Sequence, residues 1–188
     1  MPDPRQELIE IVRDKSFATG EFKLASGKTS KYYVDCRLTT LDARGACLVG
    51  KVLLAQINEE AAAREVQIDA VGGMTMGADP ISVAVSMSSH LAGQSPELQA
   101  FVVRKEPKGH GKGKQVEGNF NEGDTVVAIE DVITTGGSTL KAIDAIEREG
   151  GKVAFVAVLV DRQEGGREVI EEAGYPVISV FTRDELLG

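Results

Sequence analysis

The stretch VVAIEDVITTGGST, Val126 to Thr139, sets two carboxylates, Glu130 and Asp131, at the end of an apolar run and follows them with a turn of threonine, glycine and serine. Carboxylates accept hydrogen bonds from vicinal hydroxyls and attract a metal bound to the same ligand. The turn that follows, Thr134, Thr135, Gly136, Gly137 and Ser138, is rich in free backbone N–H groups and opens onto a helix N-terminus, a favourable seat for a phosphate. A sugar phosphate of the ribose 5-phosphate kind satisfies both halves, with hydroxyls for the acids and an anion for the turn. An acidic strand end before an ordinary capped helix uses the same residue types, and only the whole fourteen-residue context favours the ligand. The stretch is not a Walker A loop, because no Lys follows the glycines. SGKTS at 26–30 is not one either, since Phe22 stands where the leading glycine belongs.

A second stretch, VVRKEPKGHGKGKQVEG, carries the opposite charge: Arg104, Lys105, Lys108, His110, Lys112 and Lys114 with glycines between them, and Glu106 as the only acid before Glu117. In an acidic chain such a cluster suits a loop that closes over a polyanion, the alternative being a solvated surface loop. The glycine-rich VGGMTMGADPIS, with a helix start at Asp79-Pro80, offers backbone donors to a further phosphate group or serves a steric turn. Arg162, just beyond the apolar run of VLVDRQEGG, suits a bidentate carboxylate, or else a surface ion pair with Glu164 or Asp161. Tyr32 and Tyr33 in SGKTSKYYVDCR can cover a flat ring or simply pack across a hairpin.

These residues need a scaffold that brings them to one crevice. Apolar bursts at IDAVGG, LQAFVV, TVVAIED, KVAFVAVLVD and YPVISVF read as buried parallel strands. Helical segments alternate with them, most plainly STLKAIDAIEREGG, where Leu140, Ile143 and Ile146 share a face and Gly150-Gly151 supplies the stop. The pattern predicts a doubly wound α/β fold: a largely parallel sheet of about five strands with helices on both faces and its ligand crevice at the carboxyl ends of the strands. The first 65 residues predict an amphipathic helix near 4–15, a hairpin across FKLASGKTSKYYVDCR and a long alanine-rich helix between about 40 and 63. The chain reads as one domain, 1–188. A small N-terminal hood, mainly 1–38 with help from the C-terminal segment, caps a core of about 40–183.

The 188 residues, 42% hydrophobic, suffice for one substantial core. A formal charge of −8 argues against broad binding to a phosphate backbone, so no nucleic-acid partner is expected. The opening MPDPRQELIE lacks a signal-peptide layout and the longest apolar run, VAFVAVLV, is too short to span a bilayer. A cytoplasmic location without membrane attachment is therefore expected. Cys36 and Cys47 have no metal-ligand spacing and read as packing residues.

Taken together, the stretches resemble the type I phosphoribosyltransferases. VVAIEDVITTGGST is similar to the loop by which that family binds 5-phosphoribosyl 1-diphosphate. Three further segments in order, FKLASGKTSKYYVD, VRKEPKGHGKG and DRQEGG, resemble the orotate branch, and the likeness runs from about Phe17 to Arg183. The resemblance implies transfer of phosphoribose to a ring nitrogen of orotate, with magnesium held mainly through the substrate rather than by protein ligands. It implies that Glu130 and Asp131 face the ribose hydroxyls, that Thr134, Thr135, Gly136, Gly137 and Ser138 take the 5′-phosphate, with Val132 and Ile133 in the same run that binds phosphoribosyl diphosphate, and that Thr134 and Arg162 hold orotate. Arg104, Lys105, Lys108 and His110 would engage the diphosphate from a lid that reaches into the partner's site of a homodimer, with Lys105, His110 and Asp131 closest to the chemistry. The chain departs from some members at Ala25 and Gly77, where those carry Lys. The competing readings are a phosphoribosyltransferase for a purine or uracil, and a noncatalytic regulator that senses phosphoribosyl diphosphate.

Overall fold

The structure is a computed structural model, and it describes residues 3–23, 29–107 and 114–188. Helix α1 (Pro4–Ile11) starts on the Asp3 cap with proline at its first position and widens into a π-helical turn over Val12–Ser16. The predicted helix over 4–15 thus changes winding part-way. The turn ends at Ser16, whose hydroxyl meets that of Thr39 at 2.7 Å in the interior. Strands β1 (Phe17–Lys23) and β2 (Thr29–Val34) form a separate antiparallel hairpin sheet, followed by a short α2 (Arg37–Thr40) and the long α3 (Ala43–Ala63).

The main sheet alternates with helices: β3 (Ala70–Met74), α4 (Ala78–Leu91), β4 (Gln99–Val103), β5 (Val116–Gly118), β6 (Thr125–Ile133), α5 (Gly137–Arg148), β7 (Lys152–Asp161), α6 (Gly166–Glu172) and β8 (Val177–Thr182), closed by α7 (Arg183–Leu187). Its order is β5-β4-β3-β6-β7-β8, with every pair parallel except β4 and β5. Among the described residues the sheet therefore has six strands rather than about five. The addition is a three-residue antiparallel edge, too short to show a period of its own.

Side chains alternate along the central strands between two cores. Val127, Ile129, Ala157 and Leu159 join the core under α1, α3 and α4, which includes Leu8, Leu53, Ile57, Ile81 and Val85. Val126, Ala128, Val156 and Val158 join Ile143, Ile146 and Ile170 under α5 and α6. Burial on both faces is what makes these strands continuously apolar in sequence. After β3 the chain builds outward through β4, and after β6 it builds the other way through β7 and β8. The winding reverses between β3 and β6, so the crevice opens at their carboxyl ends. Arg5 ties α1 to the far edge through the Val180 carbonyl and Glu185. No helix among the described residues is long and apolar enough to cross a membrane.

Candidate active site

At that reversal lies a cleft of about 380 Å³. Glu130, Asp131, Val132, Thr134 and Ser138 line one side of it, Thr75 to Gly77 the next, Lys105 and Arg162 the rest, and Tyr33 to Asp35 with Arg37 the rim toward the hairpin. Glu130 is only 5% exposed. One of its oxygens accepts the hydroxyls of Ser138 and Thr139, both at 2.9 Å. Burial, and then the neighbouring Asp131 carboxylate, push its carboxyl up to about 7. Asp131 is the more open acid, and its Oδ1 accepts the Val132 N–H at 2.9 Å. Glu130 thus braces the first turn of α5, leaving Asp131 to face the cleft.

Two backbone approaches shape this side. Gly77 lies so close to Asp131 that a Cβ there would stand 2.4 Å from the carboxylate oxygen. A larger residue at this position has no room while Asp131 keeps its place. Gly136, left-handed at φ 79, and Gly166 at the start of α6 pack backbone to backbone, and a Cβ on Gly166 would meet the Thr134 carbonyl at 2.5 Å. Gly166, the last glycine of DRQEGG, therefore lets α6 press against the turn at 134–138. Ile133, by contrast, buries its side chain in the core, and its carbonyl accepts the Arg162 N–H. Only its backbone can serve the site. Thr135 and Gly137 are exposed at the mouth of the turn.

Arg162 is 7% exposed, not a surface residue. Its guanidinium lies over the Tyr32 ring at 4.8 Å, its Nε points to the Tyr32 hydroxyl at 3.3 Å, and Nη2 stands 2.8 Å from Glu164 Oε1. That last contact has ion-pair distance but not hydrogen-bond direction, so Nη2 keeps donor capacity. The ion-pair and ligand readings of Arg162 are thus compatible, with Glu164 as the partner. Asp161 instead accepts the Gln163 N–H at 2.7 Å. The two tyrosines divide their work: Tyr32 stacks on Phe17 in the interior, while Tyr33 leans on Phe22 and lines the cleft.

On the opposite side Lys105 lines both this cleft and a neighbouring cavity of about 620 Å³, where Arg104, Glu106 and Glu117 also sit. Arg104 faces Glu117 at 3.6 Å and does not line the cleft itself. Lys108 and His110, with Ala25 and Lys28, lie outside the described residues. Of the cysteines, Cys36 is buried beside the cleft and Cys47 is exposed on α3, so packing accounts for only the first. Sequence reasoning passed over Thr139, Thr75, Asp35 and Arg37. Thr139 closes the same motif, and Asp35 and Arg37, paired at 2.7 and 2.8 Å, directly follow the tyrosines.

The family model for the phosphoribosyl transferase domain matches residues 41–178. The orotate phosphoribosyltransferase of Aquifex aeolicus is 44% identical over 186 residues, covering 97% of each chain, and that of Streptomyces coelicolor is 45% identical over 187 residues, covering 99% of this chain and 98% of its own. The chain belongs to the orotate phosphoribosyltransferase family. A crystal structure of the Mycobacterium tuberculosis orotate phosphoribosyltransferase with 5-phospho-α-D-ribosyl 1-diphosphate superposes with a TM-score of 0.78 at 35% identity, covering 99% of this chain and all of the other. The same enzyme with Fe(III) dicitrate gives 0.82 at 38% identity, covering 98% and 99%. The phosphoribosyltransferase fold, with its mixed sheet and helices on both faces, is thus shared along the chain.

Proposed function

We propose that this cleft transfers the phosphoribosyl group of 5-phosphoribosyl 1-diphosphate to a ring nitrogen of orotate, forming orotidine 5′-monophosphate and diphosphate for pyrimidine nucleotide biosynthesis. The observation that carries the reading is the conjunction in one cleft of an open turn at a helix start, a half-buried acid facing it, a lysine and a buried arginine with a spare donor nitrogen. The turn at 134–138 takes the 5′-phosphate on free N–H groups at the start of α5. Asp131 accepts the ribose hydroxyls and faces the positive charge that builds on the sugar as its bond to diphosphate breaks. Lys105, helped by Arg104, Lys108 and His110, meets the negative charge on the leaving group. Arg162 and Thr134 hold orotate, with the guanidinium gripping its carboxylate.

Among the described residues no cluster of three or more His, Cys, Asp or Glu is arranged as a metal cage. The open carboxylate of Asp131 suits magnesium held by one or two protein oxygens and otherwise by substrate. When bound, magnesium neutralises diphosphate charge. Incubating the protein with magnesium, phosphoribosyl diphosphate and each of orotate, uracil, hypoxanthine and adenine tests the reading. Orotidine 5′-monophosphate alone should accumulate; comparable turnover of another base sinks the orotate assignment.

We further propose a homodimer, in the cytoplasm, whose sites are built from both chains. Val83, Met87 and Leu91 form an exposed stripe at helical spacing on α4, with Leu91 80% exposed, and Leu41 and Met76 extend it. The apolar hollow there shares Arg37 and Met76 with the cleft, so a second copy seated on it borders the site. Lys105 lines its own chain's cleft, so the lid residue expected to act across that interface is Lys108, and mixing Lys108→Ala with Asp131→Asn restores one intact site in each mixed dimer. Activity then recovers to about a quarter of wild type after random exchange. Mixed dimers no better than their parents would place Lys108 over its own chain's cleft.

A further inference from the structure

The far end of α5 carries residues that the reaction does not otherwise use. Glu149 caps the C-terminus of this helix, where the dipole is negative and a carboxylate is unfavourable. Its Oε1 nevertheless accepts two consecutive backbone N–H groups, from Gln115 at 2.5 Å and Val116 at 3.0 Å. Gln115 is buried, and all four of its hydrogen-bonding groups are engaged. Its N–H donates to Glu149, its carbonyl accepts the Arg104 N–H at 2.9 Å, its side-chain amide donates to the Arg104 carbonyl at 2.8 Å, and its amide oxygen accepts Arg148 Nη1 at 3.3 Å.

Gln115 therefore ties the last turn of α5 to the backbone of Arg104, one residue before the lysine that lines the cleft. The first turn of the same helix carries Ser138 and Thr139, which hold Glu130. An α-helix of this length is a stiff rod of roughly 18 Å. Its two ends are thus fastened to the two anion-facing sides of the site.

We infer that Gln115 and Glu149 are positioning residues: through α5 they set the distance between Lys105 and the phosphate turn, and hence the span of sugar diphosphate that the cleft accepts. The inference rests on the assignment of Lys105 to the diphosphate. It is tested by measuring kcat and both KM values for Glu149→Ala, Gln115→Met, Lys105→Ala and the two double variants. Each tie variant should raise the KM for phosphoribosyl diphosphate about tenfold and move that for orotate less than about twofold, where simple loss of folded enzyme would lower kcat alone. In the Lys105→Ala background the same changes should cost less than about twofold, because nothing remains to be positioned. Glu149→Gln, whose amide oxygen can accept the same two N–H groups, should restore most of the affinity. If Lys105→Ala by itself leaves the KM for phosphoribosyl diphosphate unchanged, the assignment of Lys105 falls and the inference with it. If Lys105→Ala weakens binding while the tie variants add their full effect to it, or have none, the inference alone is overturned. Gln115→Met keeps the chain length and both backbone bonds, so it carries the cycle if Glu149→Ala does not fold.

Discussion

The end of β6 and the end of β4 meet the same cleft in opposite ways. At β6 the polar groups are already committed: Glu130 is buried under two hydroxyls, Asp131 rests against Gly77, and the turn is packed against α6. At β4 the side chains of Arg104 and Lys105 are exposed, and order resides in the backbone beneath them. On the proposed assignments, the difference follows the ligand. Sugar and phosphate enter and leave the reaction unchanged in charge, so a fixed frame serves them. The diphosphate departs, and cations that stay solvated release it more readily than buried ones would.

Replacing the most deeply fixed cation should break this contrast most severely. Arg162→Ala removes a charge-assisted contact worth roughly 2–3 kcal/mol, so kcat/KM for orotate should fall about a hundredfold while the KM for phosphoribosyl diphosphate stays near wild type. Steady-state kinetics with each substrate varied decides it, and equal effects on both would make Arg162 part of the scaffold. Asp131→Asn should lower turnover about tenfold or more with the fold intact, since the lost charge faces the developing cation. Gly77→Ala should approach the same loss, because its Cβ must displace Asp131, and the double variant should be little worse than either alone. Full additivity would show that Gly77 acts elsewhere.

The smallest effect is on stability. Because the folded state raises the Glu130 carboxyl to about 7, its contribution is fully present below the ordinary carboxylate range and is lost as pH rises through about 7. Wild type should therefore lose a few degrees of Tm relative to Glu130→Gln between about pH 5 and pH 8. Parallel melting curves for the two proteins across that range would return Glu130 to an ordinary acid.

Much of the β6 side was legible in sequence because it is local: strand, acids, turn and helix follow one another within fourteen residues, and apolar runs announce strands buried on both faces. The five parallel strands, the long α3 and a crevice at the strands' carboxyl ends follow from the same signals, whereas the reversal between β3 and β6 needs the strand order. What escaped depends on contacts between distant segments. Gly77 reads as a turn glycine until Asp131 is seen against it, 54 positions away. Glu149 reads as one more acid near a helix end, and β5 exists only as a partner for β4. Arg162 showed its chemistry but not its burial, which comes from Tyr32 and Glu164 closing around it.

That enclosure has an electrostatic consequence. With Glu164 at its side, the guanidinium is close to neutralised before any ligand arrives, and little water or salt reaches it. Dissolved ions screen exposed charges within about 10 Å at 0.1 M but act weakly on enclosed pairs. On the proposed assignments, the two halves of one cleft should therefore answer differently to ionic strength: added salt should raise the KM for phosphoribosyl diphosphate, held by the β4 cations, well before it raises that for orotate, held by Arg162.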